Sequence, residues 1–190
     1  MKNTYFLLRH GETIYQKRKR KIIYPFPDSP KICLTREAKK EIQKVAQKLK
    51  KIGIDLIYSS DYFRTKQTAE IVAKVLHKKI IFDKRLRDIN LGIYHGSPKE
   101  VFYKEFPLIS PSRFFQRPPK GESWAECQKR IYSFWQELEK KHKRKNILIV
   151  GHGDPLWLLE GKIKGWGPRD FIKNAKKSFI QPGELRKLKL

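Results

Sequence analysis

Short apolar runs separated by amphipathic helical stretches predict an α/β fold, a three-layer α/β/α sandwich around a mostly parallel central sheet. Three observations carry this expectation. Tyr5 to Leu8, Ile54 to Tyr58 and Asn146 to Val150 have the apolar character of buried strands. The stretches between them place apolar residues at helical spacing. Two of the runs break straight into a histidine beside glycine, Leu8-Arg9-His10-Gly11 and Val150-Gly151-His152-Gly153, as strands do where the carboxyl edge of an open sheet receives a ligand. No linker, repeat or composition shift divides residues 1–190, so one domain is expected.

Taken in order, Thr4 to Leu8 is the first strand, and residues 14–33 are a long irregular segment. The segment opens with the basic block Lys17-Arg18-Lys19-Arg20-Lys21 and ends among Pro25, Pro27 and Pro30. Thr35 caps a helix whose apolar face is Ala38, Ile42, Val45, Ala46, Leu49 and Ile52, and Gly53 stops it. Ile54 to Tyr58 is the second strand. Asp61 is the expected cap of the next helix, which buries Ala69, Val72, Ala73 and Leu76. Lys79 to Phe82 is a third strand, followed by a loop over Arg85 to Gly92. Ser97-Pro98-Lys99-Glu100 has the pattern of a capping box with proline at the first helical position. Pro107 to Pro119 is expected to lie over the surface as a loop. Ser123-Trp124-Ala125-Glu126 is a second capping box, and its helix carries Trp124, Cys127, Ile131, Phe134 and Leu138 on one face. Asn146 to Val150 is the strongest strand; Asp154-Pro155 opens a helix after it, with Asp154 as its N-cap. Gln181-Pro182-Gly183-Glu184 is a turn signal that predicts a closing hairpin.

Length and composition bound the function. At 190 residues, with 39% hydrophobic and 33% charged residues, the chain has enough apolar material for a real core and is not of the disordered class. Lys and Arg number 44 against 19 Asp and Glu, a formal net charge of +25 that attracts anions of any kind. Cys33 and Cys127 form no metal-type cluster. There is no signal-type h-region and no run of about 18 apolar residues, so neither export nor membrane insertion is expected and the default location is the cytoplasm.

The chemistry concentrates where strands end. In a parallel sheet His10 and His152 leave the same edge, and Arg9 adds a cation beside the first. Arg64, in the sequence Ser59-Ser60-Asp61-Tyr62-Phe63-Arg64-Thr65, follows another strand end and falls in the first turn of a helix, where backbone N–H groups also favour anions. Two imidazoles and two arginines at one edge point to a phosphate.

With these elements the sequence resembles the histidine phosphatase superfamily, the phosphoglycerate-mutase-like enzymes. The resemblance rests on Arg9-His10-Gly11-Glu12-Thr13, Leu34-Thr35, Ser59-Ser60 with Arg64 and Thr68-Ala69, the stretch 86–96, Gly121-Glu122-Ser123 and Gly151-His152-Gly153, in the family's order. It implies that His10 attacks phosphorus and becomes a phosphohistidine, and that Arg9, Arg64 and His152 clamp the phosphoryl oxygens. Gly11, Thr13, Gln16 and Gly153 would complete substrate binding. It implies no metal and no cofactor. The proton donor expected in the loop 86–92 is a Glu in most members; here Asp88 stands there, one methylene shorter. Asp154 is the second candidate. Gln16 replaces a common Asn, and Tyr94-His95-Gly96 replaces the usual Trp-Glu-Gly, leaving His95 either structural or in contact with substrate.

The reading is therefore a phosphoric monoester hydrolase acting on a small phosphorylated substrate with one or more anionic groups. Phosphoglycerate-mutase-type transfer is the alternative within enzymes; the chain's shortness favours hydrolysis. The alternative from another class is a basic protein that binds polyanions or RNA non-specifically on the same fold. The basic block 17–21 is either a solvated loop or an electrostatic funnel at the pocket mouth.

Overall fold

The computed structural model describes residues 2–18, 21–107 and 109–189. It holds a five-stranded sheet in the order β3-β2-β4-β1-β5, formed by β1 (Thr4–Arg9), β2 (Leu56–Ser59), β3 (Ile80–Phe82), β4 (Asn146–Gly151) and β5 (Leu185–Lys187). The pairs β1–β4, β2–β4 and β2–β3 are parallel; only β5 runs antiparallel, against β1. Seven helices flank it among the described residues: α1 (Ile14–Lys17), α2 (Arg36–Ile52), α3 (Phe63–Leu76), α4 (Lys99–Glu105), α5 (Trp124–Lys141), α6 (Gly153–Ile163) and α7 (Pro168–Ser178). This is the expected sandwich.

The central strands are buried on both faces, and their side chains alternate between two cores. Tyr5, Leu7, Ile147 and Ile149 join Ile131, Phe134, Leu138, Leu156 and Leu159 from α5 and α6. Phe6, Leu8, Leu148 and Val150 join Ile42, Ala46, Leu49, Ala69 and Val72 from α2 and α3. Continuous apolar runs are what two-sided burial requires. The predicted face of α5 is buried residue for residue, and its capping box forms, Ser123 Oγ accepting the Glu126 N–H and the Glu126 carboxylate the Ser123 N–H. Thr35 caps α2 and Gly53 ends it at a φ of 77°. Ile52, at the end of that predicted stripe, is 40% exposed, because the last turn of α2 runs past the sheet.

Several local expectations fail for identifiable reasons. Residues 14–17 form a helical turn, capped by Thr13 in a box with Gln16. Asp61 does not cap α3: its carboxylate takes a fork from Arg87 at 2.7 and 2.6 Å. Asp28 accepts the Phe63 N–H in its place. At α4 the cap is Pro98, without a side-chain bond, so the Ser97 box does not form. The stretch 107–119 is not simply superficial; the turn Pro111–Phe114 buries Arg113 and Phe114. Asp154 is not an N-cap either, since His152 holds that position and Asp154 lies inside the first turn of α6. The helix α7 was not foreseen, although Pro168 opens it, Asp170 stands in its first turn and Phe171 and Ala175 form its buried face. The closing hairpin does not form: β5 finds its hydrogen-bond partner in the open edge of β1. Lys19 and Arg20 of the basic block lie outside the described residues.

Candidate active site

Register brings the two histidines together. In the β1–β4 pair Arg9 lies opposite Gly151, so His10 and His152 leave neighbouring central strands side by side. Their rings meet edge to face with centroids 5.4 Å apart. Both are buried, at 1% and 0% exposure.

His10 Nδ1 lies 2.8 Å from the Gly11 carbonyl. A carbonyl only accepts, so Nδ1 carries the proton and Nε2 keeps its lone pair. Burial pushes the His10 pKa well below its usual value, and Arg64 and Arg9 push the same way. The imidazole is thus held neutral in the tautomer a nucleophile needs. His152 Nε2 lies 3.0 Å from Ser60 Oγ, which itself accepts the Tyr62 N–H. Ser60 Oγ keeps a proton and a second lone pair, so it serves either tautomer; a donating hydroxyl puts the His152 N–H at Nδ1. That atom has no hydrogen-bond partner and sits 3.6 Å from an Asp88 oxygen. His152 too is held neutral, by burial first and then by Arg64.

The arginines are oriented by their flanks. Arg64 is 1% exposed; it gives Nη1 to Asp28 at 3.2 Å and Nη2 to Asp88 at 2.9 Å. Its guanidinium carbon lies 4.5 Å from the Tyr24 ring and 5.2 Å from that of Tyr62. Arg9 gives Nη1 to the Ile180 carbonyl at 2.7 Å and lies over the Phe179 ring. Four buried side-chain nitrogens or oxygens among the described residues lack a hydrogen-bond partner, and three are Arg9 Nε, Arg64 Nε and His152 Nδ1. Unmade buried hydrogen bonds cost about 1–3 kcal/mol each. Three of them in residues grouped around one imidazole mark an anion site.

Asp88 is fixed from both sides. One oxygen faces Arg64 and the other accepts the Ile89 N–H at 3.0 Å. Its loop is pinned by Arg130 of α5, which donates to the carbonyls of Arg85 and Arg87 and pairs with Glu122. The remaining predicted residues divide. Gln16 lines the cavity beside the clamp. Thr13 is fully buried as the α1 cap and bonds Tyr24 Oη at 2.8 Å, so it supports the wall. Gly11 gives its N–H to Thr68, and a Cβ there would meet Ala38 and Ile42 at 3.2 and 3.3 Å, so its small size serves the packing of α2. A Cβ on Gly153 would come 2.8 Å from the Phe179 ring and 3.1 Å from the Arg9 guanidinium; glycine there makes room for Arg9. His95 is bonded at both ring nitrogens, to the Tyr24 carbonyl and the Leu91 N–H, and holds the wall in place.

Asp154 has its own surroundings. Trp124 Nε1 donates to it at 3.1 Å, and burial raises its pKa against the pull of Arg113. Sequence reasoning missed Asp28, Tyr24 and Tyr62. The available signal was that Asp28 is the only acidic residue in the basic stretch 14–33. Among the described residues, no group of three or more His, Cys, Asp or Glu could hold a metal ion, and both cysteines are free.

The sequence pattern of the histidine phosphatase superfamily (branch 1) matches residues 5–182. The chain belongs to that superfamily. Proteins of Shigella dysenteriae and Escherichia coli named probable phosphoglycerate mutase GpmB are 33% identical over 171 residues, covering 86% of this chain and 77% of theirs. The structure of YhfR from Bacillus stearothermophilus superposes with a TM-score of 0.82 at 26% identity, over 99% of this chain and 91% of that one. A mycobacterial glucosyl-3-phosphoglycerate phosphatase has the same fold, with a TM-score of 0.82 at 20% identity over 97% and 88% of the two chains.

Proposed function

We propose that the protein is a phosphatase that hydrolyses phosphomonoesters through a phosphohistidine on His10. The observation that carries this is the set of unpartnered donors on Arg9, Arg64 and His152 around a neutral His10. His10 Nε2 attacks phosphorus while the bond to the ester oxygen breaks. The three donors take the charge that develops on the phosphoryl oxygens; one such preorganised donor is typically worth about 10²–10³ in rate. Asp88 gives its proton to the departing alcohol. The incoming phosphate dianion competes with Asp88 for Arg64. Water then attacks phosphorus, gives a proton to Asp88 and cleaves the P–N bond, releasing phosphate and neutral His10.

The relatives named probable phosphoglycerate mutase support a second reading, in which the phosphoryl group passes to another hydroxyl of a phosphoglycerate. One experiment separates the two. The protein and its His10→Ala variant are incubated with p-nitrophenyl phosphate and, separately, with 3-phosphoglycerate. The expected results are phosphate release by the wild type, a loss of about 10³-fold or more in the variant, and an acid-labile phosphoryl label on the wild type alone. Isomerisation of 3-phosphoglycerate faster than phosphate release would establish the mutase. Turnover that survives in His10→Ala would end the phosphohistidine proposal.

A further inference from the structure

The clamp occupies one part of a cavity of about 420 Å³. Beyond Arg9, Arg64 and Asp88 its wall is mainly rings and aliphatic side chains, prominent among them Tyr62, Phe102, Tyr103, Trp124, Trp157 and Phe179. A phosphate and three carbons would leave most of this wall untouched. A small, multiply charged acid would also lose hydration against the apolar faces of these rings.

Gln16, His95, Gln181 and, at the rim, the exposed Lys99 and Lys176 also line the cavity, and one buried polar cluster lies within the apolar part of the wall. Arg113 is 6% exposed, yet among the described residues it takes part in no ion pair. Its guanidinium carbon lies 4.5 Å from the Trp124 ring centroid and 5.5 Å from that of Phe102. The Trp124 N–H goes on to Asp154. Arg113, Trp124 and Asp154 all line the cavity. Arg113 supplies donors, while Asp154, biased towards its protonated form, both donates and accepts. A hydroxyl or amide group fits this pairing, because it can accept from Arg113 and can both donate to and accept from Asp154.

We propose that the cavity selects phosphomonoesters of a flat, largely apolar alcohol, one built on an aromatic ring, whose hydroxyl or amide group is received by Arg113 and Asp154. The ring packs against the aromatic wall and the polar group fixes which way round the alcohol lies. The inference rests on the hydrolase reading of the same site and narrows its substrate class.

The test compares kcat/KM for esters of primary alcohols, so that leaving-group chemistry is nearly constant. The probes are ethyl phosphate, 3-phosphoglycerate, 2-phenylethyl phosphate and 2-(4-hydroxyphenyl)ethyl phosphate. The phenylethyl ester is expected to exceed the first two by at least about tenfold through apolar burial. The phenolic hydroxyl is expected to add at least about threefold through its hydrogen bonds. Arg113→Met, and Arg113→Lys as a milder change, should remove that added factor and lower the phenolic ester more than the plain one. If ethyl phosphate or 3-phosphoglycerate equals the phenylethyl ester while p-nitrophenyl phosphate is turned over, the substrate class is wrong and the hydrolase stands. If the folded protein turns over none of them, p-nitrophenyl phosphate included, the hydrolase reading falls as well. If Arg113 variants lower both aromatic esters equally, the role given to Arg113 is wrong.

Discussion

At the site, each reacting group is held by a backbone or buried neighbour rather than left to solvent. The Gly11 carbonyl sets the His10 tautomer, Ser60 holds the His152 ring in place, and Asp28 and Asp88 fix the fork of Arg64 while leaving its Nε unpartnered. Two predictions belong here. Asp88→Asn is expected to lower kcat strongly for alkyl esters, which need a proton on the departing oxygen, and far less for p-nitrophenyl phosphate, whose leaving group does not. Equal losses on both would remove Asp88 as the donor and turn attention to Asp154. The second concerns pH. His10 and His152 have pKa values held well below the usual 6.5 by burial. In the unfolded chain both take up protons near pH 6.5, whereas the folded protein excludes them. Their contribution to stability is complete above about pH 7 and is lost as pH falls through the unfolded value towards the folded one. The melting temperature should therefore fall between pH 7 and pH 5, and less steeply in His152→Gln. Over the same interval kcat at saturating ester should show no protonation step near 6.5, since the proposed nucleophile stays neutral there, while kcat/KM carries only the ester's own second ionisation at about 6. An acid limb centred at 6.5 in kcat at saturating ester would contradict the burial argument.

The elements present these groups by close packing at their ends. Gly153 starts α6 against Phe179 and the Arg9 guanidinium. Gly153→Ala should therefore cost activity by displacing Arg9, with kcat falling by about tenfold or more, as a misplaced clamp does. Gly161, in the last turn of the same helix, tests packing without touching the clamp. A Cβ there would come 2.2 Å from the Phe171 ring, so Gly161→Ala should lower stability by about 1–3 kcal/mol in denaturant unfolding. A stable Gly161→Ala protein, or a fully active Gly153→Ala protein, would show that the helices adjust more easily than this. What was legible in the sequence follows the same division. The central strands, the α5 face and the caps at Thr35 and Ser123 were readable because each rests on one local cause: two-sided burial, a 3.6-residue period or a side chain beside free N–H groups. The placement of His10, His152, Arg9 and Arg64 followed, since strand ends of a parallel sheet converge, whereas Asp88 was expected only from the family resemblance. Asp61, Ser97 and Asp154 carried equally good local cap signals, and the fold uses none of them as caps. For Asp61 the competing partner, Arg87, is 26 residues away. For Asp154 it is Trp124, 30 residues away. Partners that distant leave no periodic or neighbouring mark, which is also why Asp28, Tyr24 and the wall around Arg113 were not foreseen.

For the whole molecule the dominant property is the net charge of +25. Two kinds of positive charge must be distinguished. Arg64 is buried and Arg9 half-buried; both are held by partners at outer nitrogens and are less screened by salt than exposed charge. Most lysines are exposed, and within the basic block Lys17 pairs with Glu37 on the surface, while Lys17, Arg18 and Lys21 do not line the cavity. At the rim, Lys99 and Lys176 do line it and are exposed. In the proposed hydrolysis exposed charge acts on the approach of a phosphate dianion, raising encounter rates by about 10–10³ at low salt, whereas Arg9 and Arg64 act on the bound phosphoryl group. Raising ionic strength shortens the Debye length from about 30 Å at 0.01 M to about 8 Å at 0.15 M. The expected outcome is that kcat/KM for a dianionic ester falls by about tenfold across that range, while kcat at saturating ester stays nearly constant. An RNA oligonucleotide should inhibit at 0.01 M salt and lose its effect at 0.15 M, because it meets the same exposed charge without reaching the clamp. RNA that binds tightly at 0.15 M, with no ester turned over, would move the function to the surface and make the polyanion-binding class the better reading. A kcat that falls in parallel with kcat/KM would instead mean that the clamp itself is open to screening, against the burial of Arg64 between Tyr24 and Tyr62.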